Sequence, residues 1–533
     1  MNQKIIENIE EIYPVCRRFL TPKAWGRVRN LCATGRGPED LPQILSCEVS
    51  NLSLPGYLPE LALLELTRAR VRAAACASSL TINQLTVNPS LHLLRLSWKN
   101  LTCLLTPYEE RSIPVPEFVE EYVIVWWHPE TGEALVRPAA DEDLLVLKTV
   151  AEEVAPSQLA IAGQVNVHEL DAAADRAVKR GLLLAPPSGI RRDLAEFATD
   201  ERIEEDFLSS SVFTLQWHIT QACDLHCRHC YDRSAMRSLE LPQAVRVLDD
   251  LLEFCRSRKV RGQVSFTGGN PLLYPDFMEV YKAASERGFS LAVLGNPAPQ
   301  ESIENLIAIE PPVYYQVSLE GLPEHNDSIR GRGHFERVLE FLSVLRQLGI
   351  YSMVMLTLTN ENLSQVLPLA EMLRGRADLF TFNRLSLVGE GARLKLPAKS
   401  DYMAFLEAYL EAAEHNPVIA LKDNLINITR HQRGLPVFGG CTGYGCGAAF
   451  NFMCLLADGT VHACRKFPSP IGSILPNSRG ELYEFESARR YRSGARACRP
   501  CAIRPVCGGC LAIAYSFGLN VFEERDPYCF IGE

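Results

Sequence analysis

The chain has 533 residues, of which 47% are apolar and 22% charged, and its net charge is −10. This length exceeds what one hydrophobic core supports, so about two to four domains are expected. The acidic balance argues against a nucleic-acid partner, which would favour a basic face. No apolar run reaches the roughly 18–20 residues that span a membrane, and the polar start MNQKIIENIEEIY lacks the apolar stretch of a secretory signal. We therefore expect a cytoplasmic protein with no membrane partner.

The 18 cysteines are distributed unevenly along the chain. Residues 231–440 contain only Cys255, whereas residues 441–529 contain nine cysteines. Structural disulfides are rare in a reducing compartment, so this clustering predicts ligation of metal ions or iron–sulfur clusters. The N-terminal cysteines are widely spaced and are predicted to be small buried hydrophobic residues: Cys16, Cys32, Cys47, Cys76 and Cys103.

Residues 1–105 are predicted to be mainly helical. A first helical face carries apolar residues at helical spacing, and a second helix is expected over residues 61–77. The residues on the first face are Ile5, Ile9, Ile12 and Cys16.

The sequence changes character over residues 118–195, where short β-rich runs and helical runs alternate. Two β-rich runs joined by the turn HPETGE predict a hairpin, which two helices and a last short strand follow. This succession is typical of a small winged-helix domain. The predicted elements are strands at 122–127 and 134–138, a helix capped by Asp141, a helix over 168–180 that ends before Gly181, and a strand at 182–185.

After a linker at 186–193, β-like runs alternate with helical runs up to about residue 388. Six β-α units imply parallel strands joined by helices, and hence an α/β fold with a partial (β/α)6 barrel of the TIM type. The six predicted strands are 212–219, 263–267, 290–294, 313–319, 352–358 and 379–385. The expected domains are a helical region at 1–110, a winged-helix-like domain at 115–195, the partial barrel at 205–400 and a cysteine-rich domain at 401–533.

The first cysteine motif, C-x3-C-x2-C, consists of Cys223, Cys227 and Cys230 and directly follows a predicted strand. A loop at the carboxyl end of a barrel strand can turn three thiolates towards one centre, which leaves one iron of a 4Fe–4S cluster open for a further ligand. Zinc sites usually use paired C-x2-C motifs instead, which the x3 spacing does not suit. With Tyr231 as the aromatic residue after the last cysteine, the motif resembles that of the radical SAM superfamily.

The resemblance implies that the 4Fe–4S cluster binds and reductively cleaves S-adenosylmethionine (SAM). It also implies further cofactor-binding residues, each with a plainer structural alternative. The segment FTGGNPLLYPDF resembles the family's glycine motif, although Asn270 stands where the family usually has an acidic residue; a simple turn is the alternative. VSLEG resembles the fourth-strand motif, which is otherwise a surface turn. For the arginine of the sixth strand, an ion pair within the barrel is the alternative. The expected cofactor contacts are Tyr231, Gly268, Gly269, Asn270, Pro271, Asn296, Ser318, Glu320 and Arg384.

The cysteines of the C-terminal segment resemble a SPASM domain, which carries two auxiliary 4Fe–4S clusters. By the family pattern, one cluster would use Cys441, Cys446, Cys464 and Cys510, and the other Cys498, Cys501, Cys507 and Cys529. If Cys441 is not a ligand, the first auxiliary cluster has an open iron that could bind a substrate thiolate. Cys255 and Cys454 are predicted to be core residues. Two paired zinc motifs are the alternative for the whole tail.

SPASM enzymes mostly modify peptides or proteins. Residues 118–195 resemble the PqqD-like domain that recognises the leader of a ribosomally made precursor peptide, by adding it as a strand to a sheet edge. The implied function is a maturase that abstracts hydrogen through a 5′-deoxyadenosyl radical and forms a thioether to a precursor cysteine or selenocysteine. The implied cofactors are SAM and three 4Fe–4S clusters, and the implied electron donor is a flavodoxin or ferredoxin.

Several other functions remain open on the sequence. The same machinery would serve a peptide epimerase or a C–C crosslinker. A formylglycine-generating maturase of the anaerobic sulfatase type is disfavoured, because that family typically has an aspartate where this chain has Arg465. A non-catalytic iron–sulfur or zinc scaffold that binds peptides is the alternative without enzymatic activity.

Overall fold

A computed structural model describes residues 8–35, 37–74, 82–105, 114–152, 154, 167–197 and 203–532. The chain forms two compact units: residues 1–156 with 169–186, and residues 157–168 with 187–533. We refer to them as the N-terminal and C-terminal units. No helix among the described residues is long and apolar enough to cross a membrane.

The N-terminal unit combines helices with short strands. The first predicted helical face is interrupted, because helix α1 ends at Ile12 and Pro14 cannot continue it; Ile5 lies outside the described residues. Thr21 caps helix α2, whose first residue is a proline. The helices are α1 (Ile9–Ile12), α2 (Pro22–Thr34), α3 (Leu41–Glu48), α4 (Leu58–Ala74), α5 (Asp141–Ala151) and α6 (Val167–Lys179); the strands are β1 (Thr86–Val87), β2 (His92–Leu96), β3 (Glu121–His128), β4 (Glu133–Pro138) and β5 (Leu183–Leu184).

The predicted hairpin is confirmed as β3 and β4, but a strand from the region predicted to be helical joins it. The antiparallel order is β2-β3-β4. Val123 and Val125 face a core that includes Leu64 of α4, whereas Ile124 and Trp126 face a second core that includes residues of α5 and α6. Because β3 pairs with a strand on each side, the edge strands of this sheet among the described residues are β2 and β4.

The predicted core cysteines of this unit have different environments. Cys16 and Cys32 are buried and Cys103 is half-buried, while Cys76 lies outside the described residues. The prediction for Cys47 is wrong, since its side chain is exposed. Helix α3 buries Leu41 and Leu45 on one face, and Cys47 lies on another.

The C-terminal unit contains the predicted α/β fold with a mostly parallel sheet. All six predicted strands are present and pair in chain order as parallel neighbours. Since parallel crossovers are right-handed, this order places the connecting helices on one face and all carboxyl ends of the strands at one edge. The strands are β6 (Val212–Thr220), β7 (Arg261–Gly268), β8 (Ser290–Leu294), β9 (Tyr314–Ser318), β10 (Ser352–Leu358) and β11 (Leu379–Arg384).

The cysteine-rich segment extends this same sheet. Strand β12 (Phe452–Leu455) pairs in parallel with β6, and β13 (Thr460–His462) and β14 (Pro470–Ser473) follow antiparallel. Cys454 on β12 is fully buried, and so is Cys255, as predicted. The helices of this unit are α7 (Leu241–Arg258), α8 (Phe277–Glu286), α9 (Gln300–Ile309), α10 (Pro323–Arg330), α11 (His334–Gln347), α12 (Val366–Leu373), α13 (Lys399–His415), α14 (Ile426–Gln432), α15 (Arg479–Glu484), α16 (Glu486–Ser493) and α17 (Leu511–Ser516).

Candidate active site

The loop after β6 brings Cys223, Cys227 and Cys230 to a cavity of about 410 Å³ at the carboxyl ends of the parallel strands. A cavity of this size suits a small-molecule ligand. Burial raises the pKa of the Cys227 thiol above its ordinary value, and the nearby guanidinium of Arg330 opposes this rise. Tyr231 also lines the cavity, and its hydroxyl lies 2.7 Å from Nδ1 of His218. The predicted contacts that line this cavity are Tyr231, Gly268, Gly269, Asn296, Ser318 and Arg384.

The glycine motif lies against the cysteine loop. A Cβ at Gly268, whose φ is +127°, would lie 2.2 Å from the carbonyl oxygen of Thr220, and one at Gly269 would lie 2.1 Å from that of Ala222. The amides of Gly269 and Asn270 donate to these same carbonyls at 2.8 and 2.7 Å. The close backbone approach predicted for the glycines is therefore an approach to the cysteine loop. Their role towards the cofactor stays a prediction.

Asp224, which the sequence analysis did not single out, joins three loops of the site. Its Oδ1 accepts hydrogen bonds from the side-chain amides of Asn270 at 3.0 Å and Asn296 at 2.7 Å. The amide of Asn296 also lies 3.6 Å from the sulfur of Cys223. Asn270 thus contacts the cysteine loop through Asp224, and neither it nor Pro271 lines the cavity. In the sequence, Asp224 is visible only as an acidic residue within the cysteine motif. No local pattern distinguishes such a residue from an acidic residue that is exposed to solvent.

Glu320 is buried behind the cavity wall. Its carboxylate accepts hydrogen bonds from Nε and Nη2 of Arg330 at 2.9 and 2.6 Å and from the Thr357 amide at 2.8 Å, and it lies 3.3 Å from Nε2 of His229. Burial alone would raise the pKa of Glu320, but its interactions with His229, the Arg330 guanidinium and the Thr357 amide hold it well below its usual range. Arg330 and His229 line the cavity. Glu320 therefore orients two cavity residues, and a direct contact between Glu320 and the cofactor stays a prediction.

Arg384 forms the ion pair that was the alternative to cofactor binding. Its guanidinium donates to Asp526 at 3.0 and 2.6 Å and to Asp423 at 2.8 Å, and Arg384 and Asp526 have side-chain exposures of only 1% each. Asp526 also accepts from the amide of Cys510. Burial disfavours the charge of Arg384, but the two carboxylates raise its pKa above the usual value. This ion pair connects the last strand of the parallel sheet to the cysteine-rich segment.

The cysteines of the C-terminal segment lie in two neighbouring groups, and their role as cluster ligands stays a prediction. Cys446 lies within electrostatic range of Cys441, Cys464 and Cys510, and Cys507 within range of Cys498, Cys501 and Cys529. The second group lines one small cavity. The groups are adjacent, because the amide of Cys446 donates to the carbonyl of Cys507 at 3.0 Å. Burial raises the pKa of the Cys446 thiol to about 12 and that of Cys464 to about 11.

Within the described part of the chain, no group of three or more His, Cys, Asp or Glu side chains is arranged to close on a single metal ion. The cysteines of an iron–sulfur cluster bind different irons and therefore stand farther apart than the ligands of one ion. Three cysteines line the main cavity, and backbone and side-chain hydrogen bonds from the loops after β7 and β8 hold the cysteine loop. These residues fit a cluster with a small-molecule ligand beside it.

Comparison with known proteins agrees with this geometry. Residues 217–373 match the profile of the Radical SAM superfamily. The chain is 26% identical over 338 residues to the AdoMet-dependent heme synthase of Methanosarcina barkeri, which covers 59% of this chain and 95% of the relative. It is 28% identical over 339 residues to the mycofactocin maturase MftC of Mycolicibacterium smegmatis, which covers 60% of this chain and 82% of the relative.

Among solved structures, Streptococcus suis SuiB bound to precursor peptide SuiA has a similar fold. The TM-score is 0.50 and the identity 15%, over 77% of this chain and 96% of SuiB. Residues 217–373 thus form a Radical SAM domain, and the protein is a radical SAM enzyme. Radical SAM enzymes use SAM and a 4Fe–4S cluster.

Proposed function

We propose that this enzyme is a maturase of a ribosomally synthesised precursor peptide, in which it removes hydrogen and forms a thioether to a cysteine or selenocysteine. The observation that carries the proposal is that the chain contains two units: one has the Radical SAM domain, and the other has a small sheet whose edge strands among the described residues are β2 and β4. An extended peptide binds such an edge as an additional strand. MftC is a maturase by name, and SuiB binds a precursor peptide.

The extent of the fold similarity to SuiB supports a peptide substrate. The C-terminal unit makes up about two thirds of the chain. A likeness over 77% of the chain therefore reaches into the N-terminal unit. The part of the fold shared with the peptide-bound SuiB is thus larger than a Radical SAM domain alone.

In this proposal, Cys223, Cys227 and Cys230 hold the 4Fe–4S cluster, and SAM lies in the cavity that they line. When bound, the cluster and SAM supply the one-electron chemistry that removes a hydrogen atom from an unactivated C–H bond. The protein orients and shields the reactants. Asp224 and the glycine motif hold the cysteine loop, and Glu320 orients Arg330 against the cavity. A flavodoxin or ferredoxin would deliver the electron.

The two cysteine groups of the C-terminal segment would hold auxiliary 4Fe–4S clusters, as in a SPASM domain. Cys441 is included as a ligand, because its loop is anchored: its amide donates to Asn424 at 2.7 Å and its carbonyl accepts from Lys422 at 3.1 Å. Because the adjacent groups contain cysteines from both ends of the segment, folding of this region would be coupled to cluster binding. The proposed number of clusters is three, with about twelve irons per chain.

Mass spectrometry of the precursor tests the reaction. The enzyme is co-expressed with a short cysteine-rich reading frame encoded beside its gene. We expect the core peptide to lose two hydrogen atoms and its free thiol, because C–S bond formation removes one S–H and one C–H. An unchanged mass with deuterium uptake from solvent would indicate an epimerase, and loss of two hydrogens with the thiol retained would indicate a C–C crosslink. A formylglycine product or an unmodified peptide would contradict the thioether proposal.

Peptide recognition is tested on the edge strand β2. Leu93 is 45% exposed there, and Phe118 and Val119, which precede β3, are also exposed. Replacing Leu93 with aspartate is expected to weaken binding of the precursor about tenfold, since a charge would replace an apolar contact. Binding is measured by the fluorescence anisotropy of a labelled precursor.

The matched control is Leu194→Asp, a change at a 57% exposed leucine in the C-terminal unit. It is expected to bind the precursor as the unmodified protein does, and neither variant should alter the cleavage of SAM without peptide. Equal affinities of Leu93→Asp and Leu194→Asp would reject β2 as the docking edge. A point change is preferred to deletion of residues 115–195, which would open the core that Val123 and Val125 share with α4.

A further inference from the structure

A second cavity of about 210 Å³ is lined by residues of the parallel sheet and of the cysteine-rich segment. Alternate residues of the strands line it, among them Thr214 and Gln216 of β6 and Tyr314 of β9. On its other side it is lined by Cys441 and Cys464. We call it the lumen cavity. It shares three lining residues with the main cavity: Asn383, Arg465 and Lys466. These residues therefore lie between the proposed SAM site and the first auxiliary cysteine group.

The lumen cavity is cationic. Lys422, Arg465 and Lys466 line it, and no Asp or Glu among the described residues does. Asp232 is the single described carboxylate that lines the main cavity, and it already accepts from Gln221 at 2.8 Å and from the hydroxyl of Ser234 at 2.6 Å. The combined space thus has an excess of positive side chains.

Arg465 differs from the other lysines and arginines that line this space, because each of those forms a hydrogen bond or an ion pair. Three cations donate to backbone carbonyls: Lys466 to that of Arg384, Lys422 to that of Cys441 and Arg233 to that of Cys227. The guanidinium of Arg384 is paired with two carboxylates and that of Arg330 with Glu320. Arg465 is half-buried and makes no hydrogen bond or ion pair with any residue that the structure describes.

The guanidinium of Arg465 acts on residues across the lumen. Burial lowers the pKa of His218 to about 3, and the charge of Arg465 adds to this effect. The same charge acts on Tyr314. His218 lies on β6 and Tyr314 on β9. Arg465 therefore extends from the end of β13 towards these strands, into the space between the two cavities.

We propose that Arg465 binds a carboxylate of the substrate and so holds the reacting segment between SAM and the first auxiliary cluster. This inference rests on the proposed function, because it takes the substrate to be a peptide. The carboxylate is then either the C-terminal carboxylate of the peptide or the side chain of an Asp or Glu residue. A half-buried guanidinium without a counter-charge gains charge-assisted, bidentate hydrogen bonds from such a group. The rival role for Arg465 is to balance the charge of the auxiliary cluster.

Anaerobic titration calorimetry on the cluster-loaded full chain tests this with small capped probes. N-acetyl-aspartate N-methylamide and its asparagine analogue represent the side chain, and N-acetyl-alanine and its N-methylamide represent the C-terminus. We expect at least one acid to bind about tenfold or more tightly than its amide, and the pair that shows this preference identifies the source. Equal binding of acids and amides by the unmodified protein would overturn the proposal.

Variants then assign the preference to Arg465. Arg465→Met should remove it, Arg465→Lys should retain part of it, and Arg246→Met at an exposed position should leave it intact. The iron content of each variant is measured alongside. If Arg465→Met lacks iron, the proposal is judged from the acid-over-amide preference of the unmodified protein and of Arg465→Lys. An Arg465→Met protein that keeps both its iron and its preference for acids would refute the site. Acid binding without any change in peptide mass would uphold the site and reject the proposed function.

Discussion

Replacing Cys227 with alanine is expected to abolish reductive cleavage of SAM, with a loss of at least about a thousandfold. Cys227 lines the main cavity with Cys223 and Cys230. In the proposed cluster, each of three thiolates binds a different iron, and the fourth iron stays open for SAM. The two cysteines that remain in the variant would leave a second iron without its protein ligand. The measurement is 5′-deoxyadenosine formation by the anaerobic, dithionite-reduced enzyme, together with the iron content per chain, which should fall by about four of twelve irons.

Cys255→Ala is the matched control. Cys255 is buried on α7, in contact range of Gly262, and belongs to the core. Its removal leaves a small cavity, which costs stability but not chemistry. We expect the control to cleave SAM at nearly the normal rate and to retain its iron. Normal cleavage by Cys227→Ala would exclude these three cysteines as the ligands of the catalytic cluster.

Replacing Arg384 with methionine is expected to lower the free energy of unfolding by about 3–5 kcal/mol, because it leaves the buried carboxylates of Asp423 and Asp526 without their partner. Asp526 also accepts from the Cys510 amide, so the loss should reach the first auxiliary cysteine group. Anaerobic urea unfolding, followed by circular dichroism and by iron release, measures both effects.

Arg246→Met provides the comparison, since the same substitution at an exposed position of α7 should change the free energy of unfolding by about 0.5 kcal/mol or less. Arg384→Met is expected to release iron at a lower urea concentration than this control. If the two variants unfold alike, the buried ion pair does not connect the sheet to the cysteine-rich segment energetically.

Local patterns were sufficient to predict most elements of the C-terminal unit. The six strands β6–β11 were predicted because each is a short apolar run bounded by polar turns, and parallel strands buried on both faces are typically such runs. The motif of Cys223, Cys227 and Cys230 was likewise evident, since its three cysteines lie within one loop. The expected membership of the two C-terminal cysteine groups required the family resemblance, because their cysteines interleave along the chain.

Partners far apart in the sequence could not be predicted. Arg384 and Asp526 are 142 residues apart, and the sequence around Arg384 is equally compatible with cofactor binding and with an ion pair. Strand β2 was missed because its five residues lie in a region with helical periodicity and become a strand only by pairing with β3. Cys47 was misassigned because apolar character alone does not tell which face of a short helix is covered.

The sequence by itself indicated the Radical SAM domain and the order of its parallel strands, because cysteine spacing and hydrophobic periodicity are properties of neighbouring residues. The tertiary structure alone decided how the cysteine loop is held and which charged side chains line the cavities. It brought Asp224 between Asn270 and Asn296, paired Arg384 with two distant carboxylates, and left Arg465 unpaired between two cavities. The physical reason is that charge pairing and burial depend on tertiary contacts between distant segments of the chain. Local sequence does not specify those contacts.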